Sequence, residues 1–262
     1  MMARFGTAVV GIPVILYAVC AGNIWPLRVL LAVVGVISCI EFLRTEGVAK
    51  PPFWMTLLLA GFLTALTLWT PPHAAYVWFL AIYAMPTIEW FTRDSPRPLL
   101  AAGWILIPLL SAISLRSGSL PSPPHWAPSF EGNALLLLFL CLWAGDTMAY
   151  FVGRSYGKHK LAPAISPSKT WEGALANFAA CVVIGWAFST ALTLPTEFGV
   201  VVGVVAGVLG QLGDLFQSAW KRRHSAKDSG SLLPGHGGAL DRFDSLLFTL
   251  PAVNVLAFYW AV

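Results

Sequence analysis

Long apolar runs alternate with short polar breaks along the chain, and the breaks hold most of the charge. A helix that crosses a bilayer needs about 20 mostly apolar residues, so spans can be read from break to break. The pattern predicts nine: Phe5–Gly22, Leu27–Leu43, Phe53–Thr70, Ala74–Ile88, Pro98–Leu115, Asn133–Val152, Gly173–Leu194, Phe198–Gln217 and Ser245–Val262. Asn23-Ile24-Trp25-Pro26, Lys50-Pro51-Pro52 and Pro71-Pro72-His73 mark early turns, and the Pro- and Ser-rich stretch Arg116–Gly132 reads as an exposed loop. Two polar segments, Arg154–Gly173 and Ser218–Ser245, divide the last spans. No internal repeat or low-complexity segment is present.

Composition turns this pattern into a class. The chain is 57% hydrophobic and 11% charged, against roughly 25% charged in soluble domains. The expected fold is all-α: a polytopic integral membrane protein forming one membrane domain over 1–262. Five N-terminal spans fill 1–132, and a C-terminal half that carries the chemistry fills 133–262. Numbering the loops alternately places 14 of the 16 Lys and Arg residues on the side of Arg4, leaving Arg28 and Arg116 on the other. Lys and Arg concentrate in cytoplasmic loops, so the N-terminus and both large polar segments are expected in the cytoplasm, and the C-terminus opposite. The stretch Met1–Asn23 resembles a signal peptide in outline, but is expected to stay as the first span. Cys20, Cys39, Cys141 and Cys181 all sit in apolar runs and read as small buried hydrophobes. No Cys/His set has zinc spacing.

Carboxylates inside apolar spans are costly, about 2.5–3.5 kcal/mol for an Asp at mid-membrane. Asp146 and Asp214 are therefore expected to avoid lipid, either by reaching a helix end or by facing a site. Asp146 shares a helix face with Tyr150, and Asp214 with Ser218 and Lys221. Asp241 and Asp244, three apart before the ninth span, suit an N-cap with a second acid at N3. The same spacing also aims two carboxylates at one point, where Asp214 would complete a set of hard oxygen ligands for Mg²⁺.

The basic residues have two readings as well. Lys221, Arg222, Arg223 and Lys227 serve as a positive-inside signal or lipid-headgroup contacts, or they handle phosphate. Lys227-Asp228 followed by Pro234-Gly235-His236-Gly237-Gly238 favours the second, since glycines let backbone N–H groups approach an anion closely. His236 could donate to phosphate, act as an acid or pack the turn. The other polar segment has the same character, with Gly153-Arg154-Ser155-Tyr156-Gly157-Lys158 and then Ser166-Pro167-Ser168-Lys169-Thr170-Trp171-Glu172-Gly173. Ser168 or Thr170 is expected to cap the seventh helix, with Glu172 in its first turn. Lys169 at that positive helix end would be relieved by a bound polyphosphate or by a neighbouring acid. The chain contains no Walker A motif, GxSxG elbow or HExxH.

The run Ser218-x-x-Lys221-Arg222-x-x-x-x-Lys227-Asp228-x-Gly230-x-x-x-Pro234-x-His236-Gly237-Gly238-x-x-Asp241-Arg242-x-Asp244 resembles the signature of phosphatidate cytidylyltransferases, the CDP-diacylglycerol synthases. Asp146-x-x-x-Tyr150, Gly153-Arg154, Ser166-Pro167-x-Lys169-Thr170-Trp171-Glu172-Gly173 and Gln211-Leu212-Gly213-Asp214 resemble the family too, whereas the first five spans do so only in apolar character. The resemblance implies transfer of the cytidylyl group of CTP to phosphatidic acid, with Mg²⁺ and a K⁺ that can sit beside it. It implies that Asp214, Asp241 and Asp244 hold the metal and, with Lys221, carry the reaction. Arg154, Lys158, Ser166, Lys169, Thr170, Ser218, Arg222, Lys227, Asp228, His236, Gly237, Gly238 and Arg242 would bind substrate or phosphate. Asp146, Tyr150 and Glu172 would support them. The implied partners are CTP, phosphatidic acid, membrane lipids and a second copy of the chain, with no nucleic acid. The absence of a targeting segment fits a bacterial-type plasma (inner) membrane. The competing readings are another CTP-dependent membrane lipid transferase or kinase, and a secondary transporter with Asp146 and Asp214 as a relay. The transporter would favour an inverted repeat, which the sequence lacks.

Overall fold

In hydrocarbon a chain must satisfy its own N–H and C=O groups, which makes helices of apolar runs. A computed structural model describes residues 2–48, 53–68, 101–117, 133–230 and 237–260. Its helices are α1 (Met2–Cys20), α2 (Trp25–Thr45), α3 (Phe53–Leu68), a π-helical stretch (Ala102–Leu106) running into α4 (Ile107–Ser117), and α5 (Ala134–Tyr156). A hairpin of β1 (Lys160–Ala162) and β2 (Ser166–Thr170) precedes α6 (Trp171–Ala191), α7 (Thr196–Arg223) and α8 (Leu240–Trp260).

Among the described residues, five helices are long and apolar enough to cross a membrane: α2, α5, α6, α7 and α8. Shorter apolar helical stretches, Val9–Cys20, Met55–Ala65 and Gly103–Arg116, fall in the first, third and fifth predicted spans. The fourth, Ala74–Ile88, lies outside the described residues. Large apolar side chains such as Val29, Phe151, Val183 and Trp186 face outward, a surface suited to hydrocarbon rather than water. The protein is a polytopic integral membrane protein.

Several expected boundaries need correction. α5 runs past Val152 to Tyr156 and so carries Arg154, and α7 runs past Gln217 to Arg223, so Ser218, Lys221 and Arg222 are helical. α8 begins before Ser245, which puts Asp241 in its first turn. Charge at the apolar boundary does not end either α5 or α7. Basic residues in a last turn instead favour the helix by complementing its dipole. Arg116 is also helical rather than part of the loop: its guanidinium donates to the Val19 and Ala21 carbonyls at 2.9 Å each. Asn133 donates to Val19 at 3.0 Å while its side-chain oxygen caps α5 by accepting from Leu136 N–H. The open carbonyls at the end of α1 thus find donors.

The all-α expectation also misses the hairpin. Its strands pair antiparallel, Lys160 with Thr170 and Ala162 with Ser166, with an irregularity between them. Pro167 is tolerated because a two-stranded ladder leaves each strand an unpaired edge.

α6 packs on α5 and on α7, and α8 packs on α7 and α4. One continuous apolar core runs from Val19 on α1 to Ala257 on α8. The α6–α7 seam is set by glycine: a methyl group on Gly185 would overlap the Gly199 carbonyl oxygen, and one on Gly203 would lie 2.5 Å from Cys181 O. Small residues allow such backbone approach within a membrane. Gly199→Val is expected to cost about 1–3 kcal/mol by overpacking and to lower the melting midpoint in detergent. An unchanged midpoint would contradict the seam.

Candidate functional site

The polar residues that the apolar runs leave over are collected where α5, β2, α6, α7 and the start of α8 meet. There they line a cavity of about 540 Å³. Asp146, Asn177, Gln211, Asp214 and Ser245 line it together with Tyr150, Arg154, Ser168, Lys169 and Thr170. Asp146 is exposed and lines this cavity, and Asn177 Nδ2 donates to its carboxylate at 3.3 Å. One turn along α5, Tyr150 accepts a 2.7 Å hydrogen bond from the Arg154 guanidinium.

The hairpin delivers Lys169. Thr170, next in sequence, is buried and caps α6 by accepting from Gly173 N–H at 3.2 Å. It is therefore Thr170, not Ser168, that caps the helix. Glu172 accepts from His159, through the backbone N–H at 3.3 Å and the ring Nδ1 at 2.7 Å, and so ties the hairpin to the first turn of α6. Lys169 is relieved at the positive helix end by an acid: its Nζ lies 2.5 Å from Asp214 Oδ2. Asp214 also accepts from Ser218 Oγ at 3.4 Å, as their spacing on one face predicts. Asp244 is within electrostatic reach of both Asp214 and Asp146, and the three carboxylates repel one another around Lys169. Arg242 offsets part of the charge of Asp146.

A second cluster lies beside the cavity. Asp241 Oδ1 accepts from Lys221 Nζ at 2.6 Å and Gln217 Nε2 at 2.8 Å. Its Oδ2 accepts from the backbone N–H of Ser229 at 2.9 Å and Gly238 at 3.0 Å. The pair is largely buried, with side-chain exposures of 12% for Lys221 and 8% for Asp241. Asp241 is one residue inside α8 and does not act as its N-cap. The N–H groups of Ala239 and Leu240 go instead to Glu41 of α2, at 2.9 and 2.8 Å. Gly237 turns the chain into α8 with a φ of 78°, in the left-handed region where glycine is at ease.

The structure thus joins Asp146, Tyr150, Arg154, Lys169, Thr170 and Asp214 at one cavity and Lys221 with Asp241 next to it. Among the described residues no group of three or more His, Cys, Asp and Glu side chains is preassembled around a single metal position. Arg222 bridges to the hairpin instead, donating to Ile165 O at 3.3 Å and to Ala226 O at 3.0 Å. Lys158, Lys227 and Asp228 are exposed, Ser166 is half-buried in β2, and His236 lies outside the described residues. Sequence reasoning gives no role to Asn177, Gln217 or Glu41, and names Gln211 only within the family-like stretch Gln211–Asp214. The rule that flagged Asp146 and Asp214, polarity within an apolar run, would have found all four had it been applied beyond aspartate.

Fold and site together define a membrane protein with a basic-rimmed, carboxylate-lined cavity between helices. The chain belongs to the cytidylyltransferase family, which it matches over residues 2–260. It is also 45% identical over 124 residues to a protein of Staphylococcus haemolyticus (strain JCSC1435), and 44% identical over the same length to one of Staphylococcus aureus (strain COL). Both are named phosphatidate cytidylyltransferase, and each match covers 47% of this chain and 48% of the relative. The matched stretch therefore spans about half the length of those relatives.

Proposed function

We propose that the protein transfers the cytidylyl group of CTP to phosphatidic acid, giving CDP-diacylglycerol and pyrophosphate. The observation that carries the reading is the cavity itself, in which Arg154 and Lys169 stand over Asp146 and Asp214 in a chain of the cytidylyltransferase family. A phosphate oxygen of the lipid attacks the α-phosphorus of CTP, the bond from that phosphorus to the β-bridging oxygen breaks, and pyrophosphate leaves. The nucleophile is already an anion, so no general base is required and His236 is not given that role. Two anionic reactants must be brought together, so positioning and charge neutralisation dominate. Lys169, Lys221, Arg222 and Lys227 supply positive charge, and Arg154 holds the rim through Tyr150.

The donor set suits a hard divalent cation. Asp146 and Asp214 line the cavity beside Lys169, and Asp244 lies within electrostatic reach of both, an oxygen-rich arrangement. Asp214 and Asp244 would hold Mg²⁺, with Asp241 joining after release of Lys221. When bound, Mg²⁺ neutralises phosphate oxygens and the departing pyrophosphate. A K⁺ beside it, a homodimer, nine spans with a cytoplasmic N-terminus and a plasma-membrane location belong to the same proposal. The 14 basic residues assigned to one side support the orientation.

Purified protein incubated with labelled CTP, phosphatidic acid and Mg²⁺ is expected to yield a labelled CDP-lipid and pyrophosphate. CDP with a newly phosphorylated lipid would make it a kinase, and no labelled product would remove the reading. A reporter fused after Val262 is expected on the side opposite the cytoplasm; a cytoplasmic signal would overturn the nine-span count.

A further inference from the structure

Two glutamates, Glu41 in α2 and Glu46 at its C-cap, reach the Ser218–Ser245 segment from far away in sequence. Glu41 is 2% exposed and accepts from Ala239 N–H, Leu240 N–H and, at 3.4 Å, Ser229 Oγ. Glycines fence it: a methyl group on Gly230 would lie 2.5 Å from Glu41 Oε1, and one on Gly238 2.5 Å from Oε2. Among the described residues no ion pair compensates Glu41. Its charge is met by the N–H groups and dipole at the start of α8, a charge-assisted arrangement. One turn on, the Glu46 carboxylate accepts from Trp220 Nε1 at 3.0 Å and lies 3.2 Å from His224 Nε2. Between the glutamates, Phe42 stacks on Trp220 with ring centroids 5.3 Å apart.

The end of α2 therefore grips the last turn of α7 and the first turn of α8, the two helix ends from which the polar segment hangs. Lys221 follows Trp220, and Asp241 follows Leu240, so the Lys221–Asp241 pair spans the two gripped ends. Ser229 and Gly238, whose N–H groups hold Asp241, are the residues packed around Glu41. We propose that Glu41 is a positioning residue: by holding Ala239 and Leu240 it fixes where α8 begins, and so where Asp241 and Asp244 stand relative to Lys221 and Asp214.

The consequence for turnover rests on the cytidylyl-transfer reading; the grip itself does not. Glu41→Gln puts an amide NH₂ against one of the two backbone donors, and Gly230→Ala presses on the same carboxylate from the other side. Hydrogen–deuterium exchange of the peptide covering 237–246 is expected to speed up in both variants. Displacing reacting groups by about 1 Å can cost about 100-fold in rate, and a fall of that order in kcat is expected. KM for CTP should change less than kcat, because Arg154 and Lys169 are untouched. Unchanged exchange would overturn the grip. Faster exchange with wild-type kcat per folded molecule would reduce Glu41 to a brace and overturn the positioning role. If Glu41→Gln fails to fold, Gly230→Ala carries both measurements. A wild-type protein that makes no CDP-lipid would remove the functional reading, while exchange would still decide the grip.

Discussion

Asp214→Asn is expected to leave the protein folded and to lower CDP-lipid formation by about 10²–10³-fold, the range seen when one preorganised electrostatic group is removed. Folding should survive, since the Asp214 side chain is 37% exposed to the cavity and an amide keeps an oxygen for Ser218. The loss falls on charge. Lys169 keeps its place at the positive end of α6 without the carboxylate that offsets it, and the cavity loses the donor closest to its basic rim. Dependence on Mg²⁺ should flatten along with the rate. Asp244→Asn is expected to do the same, because Asp244 shares the field of Asp214 and Asp146. The checks are initial rates across a Mg²⁺ titration and the melting midpoint in detergent. Near-normal rates with a normal Mg²⁺ response in both variants would take these carboxylates out of the reaction.

The second large effect combines stability and activity. Lys221→Met strands Asp241 as a buried carboxylate, and removing one partner of a buried pair costs about 3–5 kcal/mol. Gln217 and the N–H groups of Ser229 and Gly238 still hold Asp241, which places the expected cost at the lower end of that range. Adding Asp241→Asn in the same chain removes the stranded charge and should recover part of the melting midpoint. Neither variant should transfer cytidylyl groups, because the ammonium is gone from both. A double variant no more stable than the single one would mean that the pair does not carry the charge balance of the cluster. Transfer at the wild-type rate in Lys221→Met would end its role in neutralising phosphate.

What the sequence disclosed follows from how far apart the interacting residues lie. The apolar helices among the described residues were legible because hydrophobicity is a local signal, and Thr170 as a cap and Asp214 beside Ser218 follow from helix geometry over one turn. One of the two ways to relieve Lys169 was an acid, and Asp214 is that acid. The ends of α5 and α7 were set too early because charged residues were read as stops, although a helix passing from lipid to water carries them readily in its last turn. The hairpin was missed because its short strands are mostly half-buried and show no alternation. Asp241 with Ser229 and Glu41 with Leu240 are tertiary pairings, and no local pattern announces them. The expected N-cap failed for the same reason: the acid that caps α8 arrives from α2.

That arrangement bears on the independence of the two halves of the chain. The residues that resemble cytidylyltransferases most closely are all in 133–262, as though that half were a portable catalytic module. Its last helix nonetheless borrows its cap from residue 41, and its longest helix, α7, has Trp220 packed on Phe42. Severed from α2, α8 would lose the carboxylate that accepts from its first two N–H groups. A shuffled or truncated descendant would have to carry α2 along or evolve a new anion in its place.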